Sequence, residues 1–260
     1  MKALMLISVC GMIAVYSMRD DLYKFPRLFV ITPLGVGDDV ALDASQAHYL
    51  KNVLRKENGD VVRLFNGQDG EFLAVLTVGK RDVNAKTVER VRAQKLRTRR
   101  VHLLFAPLKK DRMDVLIEKA VELDATDLHP VITDRTEVRE INETRLLAQI
   151  VEAAEQCERL DIPVLHKLEK LDRKIAAWPK AVPVLGGIER STAPVIGDQT
   201  IPINDAACLI GPAGGWSDFE RDLLNAAGST VVPVSLGDNV LRSETAAAVL
   251  LSRLTIRSER

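Results

Sequence analysis

The 260-residue chain has no net charge, since 36 Lys and Arg are balanced by 36 Asp and Glu, and this argues against a uniformly basic nucleic-acid coat. Cysteine is scarce. Cys10, Cys157 and Cys208 show neither metal-ligand spacing nor a paired framework, which points to a reducing compartment, with Cys157 and Cys208 expected as small buried side chains. The four histidines are scattered, with no His-x-x-x-His and no His/Asp pairing, so no structural metal is expected. Neither G-x-G-x-x-G nor a Walker A signature is present, which removes the usual nucleotide-loop readings. Internal repeats and low-complexity segments are absent. The one strongly apolar run, ALMLISVCGMIAVY after Lys2, has the outline of a secretory signal but is too short and interrupted for a membrane span.

Local order is densest near the C-terminus, from Cys208 to Leu251: CLIGPAGGWSDFERDLLNAAGSTVVPVSLGDNVLRSETAAAVLL. The apolar run Cys208 to Ile210 predicts a strand broken by Gly211-Pro212-Ala213-Gly214-Gly215, where glycine allows close backbone approach to a ligand. Ser217 and Glu220 form a capping-box pair, so a helix should start there and stop at Gly228. Val231 to Val234 reads as a buried strand, Ser235-Leu236-Gly237 as a second turn, and Leu241 to Leu254 as a helix rich in Ala and Leu. Two Gly turns at strand ends suggest one pocket at the carboxyl edge of a parallel sheet.

Upstream, Arg27 to about Lys95 holds short alternating runs. Val61 to Phe65, a turn at Asn66-Gly67 and Phe72 to Val78 read as a hairpin within a small β-barrel, and His48 to Arg55 inserts a short helical pattern. Val101 to Ala106 predicts a strand. A helix should follow from about Arg112 to Leu123, because Met113, Leu116, Ile117, Ala120 and Val121 recur at helical spacing. Val131 and Ile132 suggest a strand, Glu143 to Leu160 a helix, and Val182 to Gly187 a strand ending in a Gly pair. This alternation argues for a parallel sheet. Charge is also uneven: from Lys80 to Arg112 there are twelve Lys or Arg against three acidic residues, a stripe suited to phosphate contacts, although a solvated surface gives the same pattern.

Gly-Pro-x-Gly-Gly, Ser-Leu-Gly and Leu-Arg-x-Glu-Thr-Ala occur in that order, and together they resemble the C-terminal signature of the SPOUT, or trefoil-knot, methyltransferases. Within them the chain is most similar to the bacterial 16S ribosomal RNA uracil N3-methyltransferases. Leu108 to Glu122, with Lys119 and Glu122, resembles the first helix of that family's catalytic domain. Glu155, Gln156 and Arg159 resemble its A-x-E-Q-x-x-R helix, and Arg27 to Val30 and His48 to Arg55 its N-terminal barrel. The match covers about residues 25 to 254. Ala213 stands where the family usually has Glu, and Asp124 where it usually has Gly; Asp tolerates a left-handed helix end better than most residues.

The resemblance implies an α/β fold in which a C-terminal SPOUT trefoil-knot domain, residues 96–260, follows a PUA-like β-barrel, residues 18–95, that binds RNA. Because the resemblance begins near Met18, residues 1–17 are expected to be a non-native or disordered extension. The implied cofactor is S-adenosyl-L-methionine, bound by Leu185 and Gly186, by Ile210, Gly211, Gly214 and Gly215, and by Ser235, Leu236, Gly237 and Leu241. The implied reaction is methylation of N3 of a uridine in 16S rRNA of the small ribosomal subunit. Arg242 would stabilise the negative charge that develops on the base, and Glu244 would orient Arg242 or accept the proton, whereas the plainer reading of the pair is a structural salt bridge at a helix start. Arg27, His48, Arg55, Arg97, Arg99 and Arg100 are candidate RNA contacts, although a partly buried hydrogen-bonded ring is the plainer expectation for His48. A cytoplasmic homodimer without metal or membrane association completes the expectation. Methylation of another rRNA or tRNA base, and a non-catalytic ribosome-binding factor fed by Ala213, are the alternatives.

Overall fold

A computed structural model describes residues 19–188, 193–196 and 204–255. The expectations placed on residues 1–17, including Cys10, lie outside the described residues. Two compact units divide the chain, Met1–Leu96 and Arg97–Arg260.

The first unit is a five-stranded sheet in the order β1-β3-β4-β5-β2. Its strands are β1 (Arg27–Phe29), β2 (Asp39–Ala41), β3 (Val61–Phe65), β4 (Glu71–Val78) and β5 (Val83–Arg92). β1 runs parallel to β3 and the other pairs are antiparallel, so β1 and β2 form the two edges of a half-barrel. Leu28, Val40, Val62, Leu64, Phe72, Leu76 and Val83 fill it. The short helix starts earlier than the sequence pattern suggests: α1 (Ala44–His48) runs into a π turn at Tyr49–Val53. The cause is a capping box, in which Asp43 accepts from the Gln46 amide and the Gln46 side chain returns to the Asp43 backbone. Arg55, at φ +54°, ends the turn. At the start of β4, Glu71 is fully buried and faces three guanidiniums: Arg27 at 2.5 Å, Arg92 at 3.5 Å and Arg63 at 3.7 Å.

The second unit is a seven-stranded sheet whose paired strands are all parallel, in the order β12-β10-β11-β6-β7-β8, with β9 pairing the far end of β7. The strands are β6 (Val101–Phe105), β7 (Asp127–Ile132), β8 (Val164–Leu165), β9 (Glu169–Lys170), β10 (Val184–Gly187), β11 (Ala206–Ile210) and β12 (Val231–Val234). β6 and β11 lie at the centre, and every residue in them is buried, which is why they read as continuous apolar runs rather than alternations. Helices α2 (Lys110–Glu122), α3 (Glu143–Gln156), α4 (Leu171–Ala176), α5 (Asp218–Ala226) and α6 (Ser243–Thr255) connect or follow these strands.

Helix ends follow local chemistry. α3 stops at Gln156, short of Leu160, because Glu158 takes φ +59° and breaks the run. Asp124 takes φ +62° after α2, the left-handed conformation for which its short side chain suits it. The segment after α2 is also pinned by Arg159, which donates to the carbonyls of Val121 and Ala125 at 3.2 and 2.7 Å. α5 starts at the Ser217–Glu220 capping box and is followed by Gly228 at φ +58°. Among the described residues, no helix is long and apolar enough to cross a membrane. Cys157 lies exposed at the end of α3, contrary to the burial expected of it, while Cys208 is buried in β11 and desolvation raises its thiol pKa.

Candidate functional site

In parallel register the last residues of β10, β11 and β12 come side by side: Gly187 pairs with Ile210 on one flank and with Val234 on the other. The loops leaving these three strands therefore open at one carboxyl edge, where ligands bind in open α/β sheets. A cavity of about 270 Å³ lies there. Gly187 and Ile188 line it from the first strand, Ile210 to Pro212 with Gly215 and Trp216 from the second, and Val234 to Leu241 from the third. Ser243 and Ala246 of α6 close the remaining side.

Three features shape the walls. A Cβ on Gly211 would sit 2.7 Å from the buried Trp216 ring, so only glycine fits there. Trp216 donates from Nε1 toward the Gly187 carbonyl at 3.5 Å, tying the second loop to the first. The Ser243 hydroxyl donates to the Gly211 carbonyl at 3.2 Å and anchors the start of α6 against the same loop. Apolar residues (Ile210, Val234, Leu236, Leu241) thus share the lining with polar ones (Ser235, Asp238, Asn239, Ser243), a lining that suits a flat heteroaromatic ring with a polar tail.

Of the expected cofactor contacts, Ile210, Gly211, Gly215, Ser235, Leu236, Gly237 and Leu241 line the cavity. Leu185, Gly186 and Gly214 do not. Leu185 is buried inside β10, and Gly186 faces Val231, so the strand meets the cavity one residue later, at Gly187. Gly214 turns away, its carbonyl accepting from Arg135 Nη1 at 3.0 Å. Ala213 is exposed and outside the lining. Sequence reasoning did not single out Trp216 or Ser243, and Ala246 entered only as the last residue of the Leu-Arg-x-Glu-Thr-Ala motif, with no role at the cavity; that motif was the available signal for Ser243 and Ala246.

Arg242 and Glu244 flank this wall but do not pair in the manner expected. Glu244 is gripped by Arg112 from the first turn of α2, with Nη2 to Oε2 at 2.6 Å and Nε to the two carboxylate oxygens at 3.0 and 3.2 Å. Burial raises the Glu244 pKa, but the Arg112 hydrogen bond, a backbone hydrogen bond and the charges of Arg112 and Arg242 outweigh it and hold the carboxyl below the ordinary glutamate value. Arg242 is exposed, and among the described residues its guanidinium has no hydrogen-bond or ion-pair partner. Its charge acts on Glu244 only at a distance, so the guanidinium donors remain available to a ligand, whereas the Glu244 carboxylate is hydrogen-bonded to Arg112.

The candidate RNA contacts are dispersed. Arg27 is turned inward onto Glu71, with its guanidinium 4.2 Å from the Phe65 ring centroid, so it serves the core instead of offering a phosphate contact. Arg97 binds Asp124 and Asp161, Arg99 donates to the Leu254 carbonyl, and Arg100 binds Asp127. His48 is exposed, against the partly buried ring expected, and Arg55 is exposed too.

Known proteins share both units. A family model described as an RNA methyltransferase domain matches residues 94–255, and one described as an RNA methyltransferase PUA domain matches residues 42–88. Two proteins named ribosomal RNA small subunit methyltransferase E are similar over most of the chain. The Rickettsia conorii protein is 29% identical over 236 residues (90% of this chain, 96% of the relative), and the Synechocystis protein 32% over 235 residues (88% and 76%). Among solved structures, a methyltransferase-type protein of Legionella pneumophila, in complex with the bound cofactor SAM, superposes with a TM-score of 0.80 at 30% identity, covering 88% of this chain and 96% of that one. A ribosomal RNA small subunit methyltransferase E of Neisseria gonorrhoeae bound to S-adenosyl methionine gives 0.77 at 27% identity, covering 88% and 95%. The expected fold class, a SPOUT-type α/β domain with a PUA-like unit, agrees with these neighbours.

Proposed function

Because this chain belongs to the RNA methyltransferase domain family, we propose that it transfers a methyl group from S-adenosyl-L-methionine to N3 of a uridine in 16S rRNA of the small ribosomal subunit. The observation that carries the reading is the three-loop cavity at the carboxyl edge of β10, β11 and β12, where Gly211 admits a close approach and Ile210, Leu236 and Leu241 supply apolar walls. These residue types fit the cofactor, which supplies the methyl group when bound.

The remaining chemistry falls to the chain. Loss of the N3 proton to solvent water leaves negative charge on the uracil ring, and the exposed guanidinium of Arg242, beside the cavity wall, is the group assigned to stabilise it. Glu244 is assigned to positioning and not to proton transfer, because a carboxylate held below its ordinary pKa is a weak base. Its partner Arg112 joins α2 to the start of α6, whose Ser243 and Ala246 form part of the wall. Holding that wall still maintains the geometry that in-line transfer requires. The N-terminal unit, residues 18–95, is assigned to RNA binding through exposed residues including His48 and Arg55. A cytoplasmic homodimer belongs to the same reading, and sedimentation equilibrium tests the dimer.

Transfer of labelled methyl to small subunits isolated from a strain lacking the modification, followed by nucleoside analysis, tests the whole. Label in N3-methyluridine is expected. Label in another nucleoside would overturn the site of transfer, and absence of both label and cofactor binding would overturn the enzyme reading.

A further inference from the structure

A second constellation lies at the opposite, amino edge of the same sheet. Parallel register pairs His102 of β6 with Asp127 of β7, and His129 follows Asp127 by two residues, so all three side chains share one face. Folding thus assembles what the linear spacing of the histidines conceals. His102 Nδ1 stands 3.1 Å from His129 Nε2 and 3.6 Å from Asp127 Oδ2, and the donor atoms of the three lie within 4.8 Å of one another. Those separations bracket the edge of a tetrahedron with ligand bonds of 2.0–2.1 Å, about 3.3–3.4 Å. Burial is deep, at 9% exposure for His102, 4% for His129 and none for Asp127.

We propose that His102, His129 and Asp127 form a binding site for a divalent transition metal of the zinc class, separate from the cofactor cavity and independent of the proposed reaction.

Two observations support it. Two neutral imidazoles 3.1 Å apart can share only one proton between facing lone pairs, whereas a cation engages both lone pairs together with the carboxylate. Asp127 is held in place by the neighbours that orient ligating carboxylates: Thr126 at 2.8 Å, His166 at 2.8 Å and Arg100 at 2.9 Å. Trp178 packs edge-on against both rings and closes the apolar side.

Charge sets the expected strength. Asp127 is balanced by Arg100, so an incoming dication meets no excess negative charge, and affinity should be roughly micromolar, well short of the tightest structural zinc sites. Two nitrogens and one oxygen favour Zn²⁺, Co²⁺ or Ni²⁺ over Mg²⁺ and Ca²⁺. Bound metal would cross-link β6 to β7.

The test uses the full, untagged chain stripped with chelator. Zn²⁺ titrated against a chromogenic competitor should be taken up at one equivalent, Co²⁺ should give the visible bands of a tetrahedral site, and millimolar Mg²⁺ should not compete. His102→Gln and His129→Gln each remove a ligand and should each weaken uptake by more than the roughly 10–100-fold typical of changes around a ligand, with unchanged circular dichroism. Imidazole ¹⁵N spectra of the wild-type chain provide a readout that needs no variant, because the ring nitrogens of His102 and His129 should shift with the first equivalent. No Zn²⁺ uptake up to 100-fold above the expected constant would overturn the proposal, as would uptake that leaves those two rings unmoved.

Discussion

Arg112→Met tests the joint between α2 and α6 most directly. The substitution keeps an unbranched apolar stem and removes the guanidinium that makes three hydrogen-bond contacts to Glu244. The carboxylate it abandons is 11% exposed, and Arg112 itself is 31% exposed. Removing one partner of a fully buried pair costs about 3–5 kcal/mol. Partial exposure of Arg112 lets solvent screen some of that, so the expected loss at pH 7 is about 2–3 kcal/mol. The loss should depend on pH in a definite direction. Glu244 is held below its ordinary pKa in the folded chain, so the stability it contributes is fully present above the ordinary glutamate value and fades as pH falls through the lower folded value. The difference between wild type and variant should therefore shrink on acidification, since a protonated Glu244 has no charge to strand. Urea unfolding of both proteins at pH 7 and again below pH 4.5 measures it, with Glu244→Gln and the double variant completing a cycle whose coupling should exceed about 1 kcal/mol. A loss under 1 kcal/mol at pH 7, or one that stays constant with pH, would refute the reasoning.

Glu71→Gln should cost about 3–5 kcal/mol in urea unfolding, because Arg27 and Arg63 would keep their charge inside the sheet without the carboxylate; a loss under 1 kcal/mol would show that the pair is not held by charge. Gly211→Ala forces a methyl against the Trp216 ring, so stability should fall by about 1–3 kcal/mol; titration calorimetry should show S-adenosyl-L-methionine binding at least tenfold weaker, and unchanged affinity would mean that the loop does not carry the cofactor. Maleimide should modify Cys157 in the native protein within minutes and Cys208 only after denaturation, read by mass spectrometry of the two peptides; equal rates would contradict the burial of β11.

Sequence by itself determined whatever depends on neighbours in the chain. The Ser217–Glu220 capping box, the helical spacing of Met113 to Val121 and the apolar runs of β6, β11 and β12 are local, so their physics is complete within a few residues. The Gly turns announced a ligand edge for the same reason, and most of the residues expected to line it do so. Only the tertiary structure decided the pairings. Strand register brings Gly187, Ile210 and Val234 together from three distant segments, and it places His102 beside Asp127 although nothing in their spacing suggests it. Arg112 lies 132 residues from Glu244, and the carboxylate's choice of that partner over nearby Arg242 follows from how α2 packs on α6. The basic stripe shows the same division: composition counted its arginines, but whether each faces solvent or a buried or neighbouring carboxylate depends on which acidic residues folding delivers, as Asp127 to Arg100 and Asp161 to Arg97. Charge and hydrogen bonding act over a few ångströms of space, and only the fold sets which residues lie within that reach.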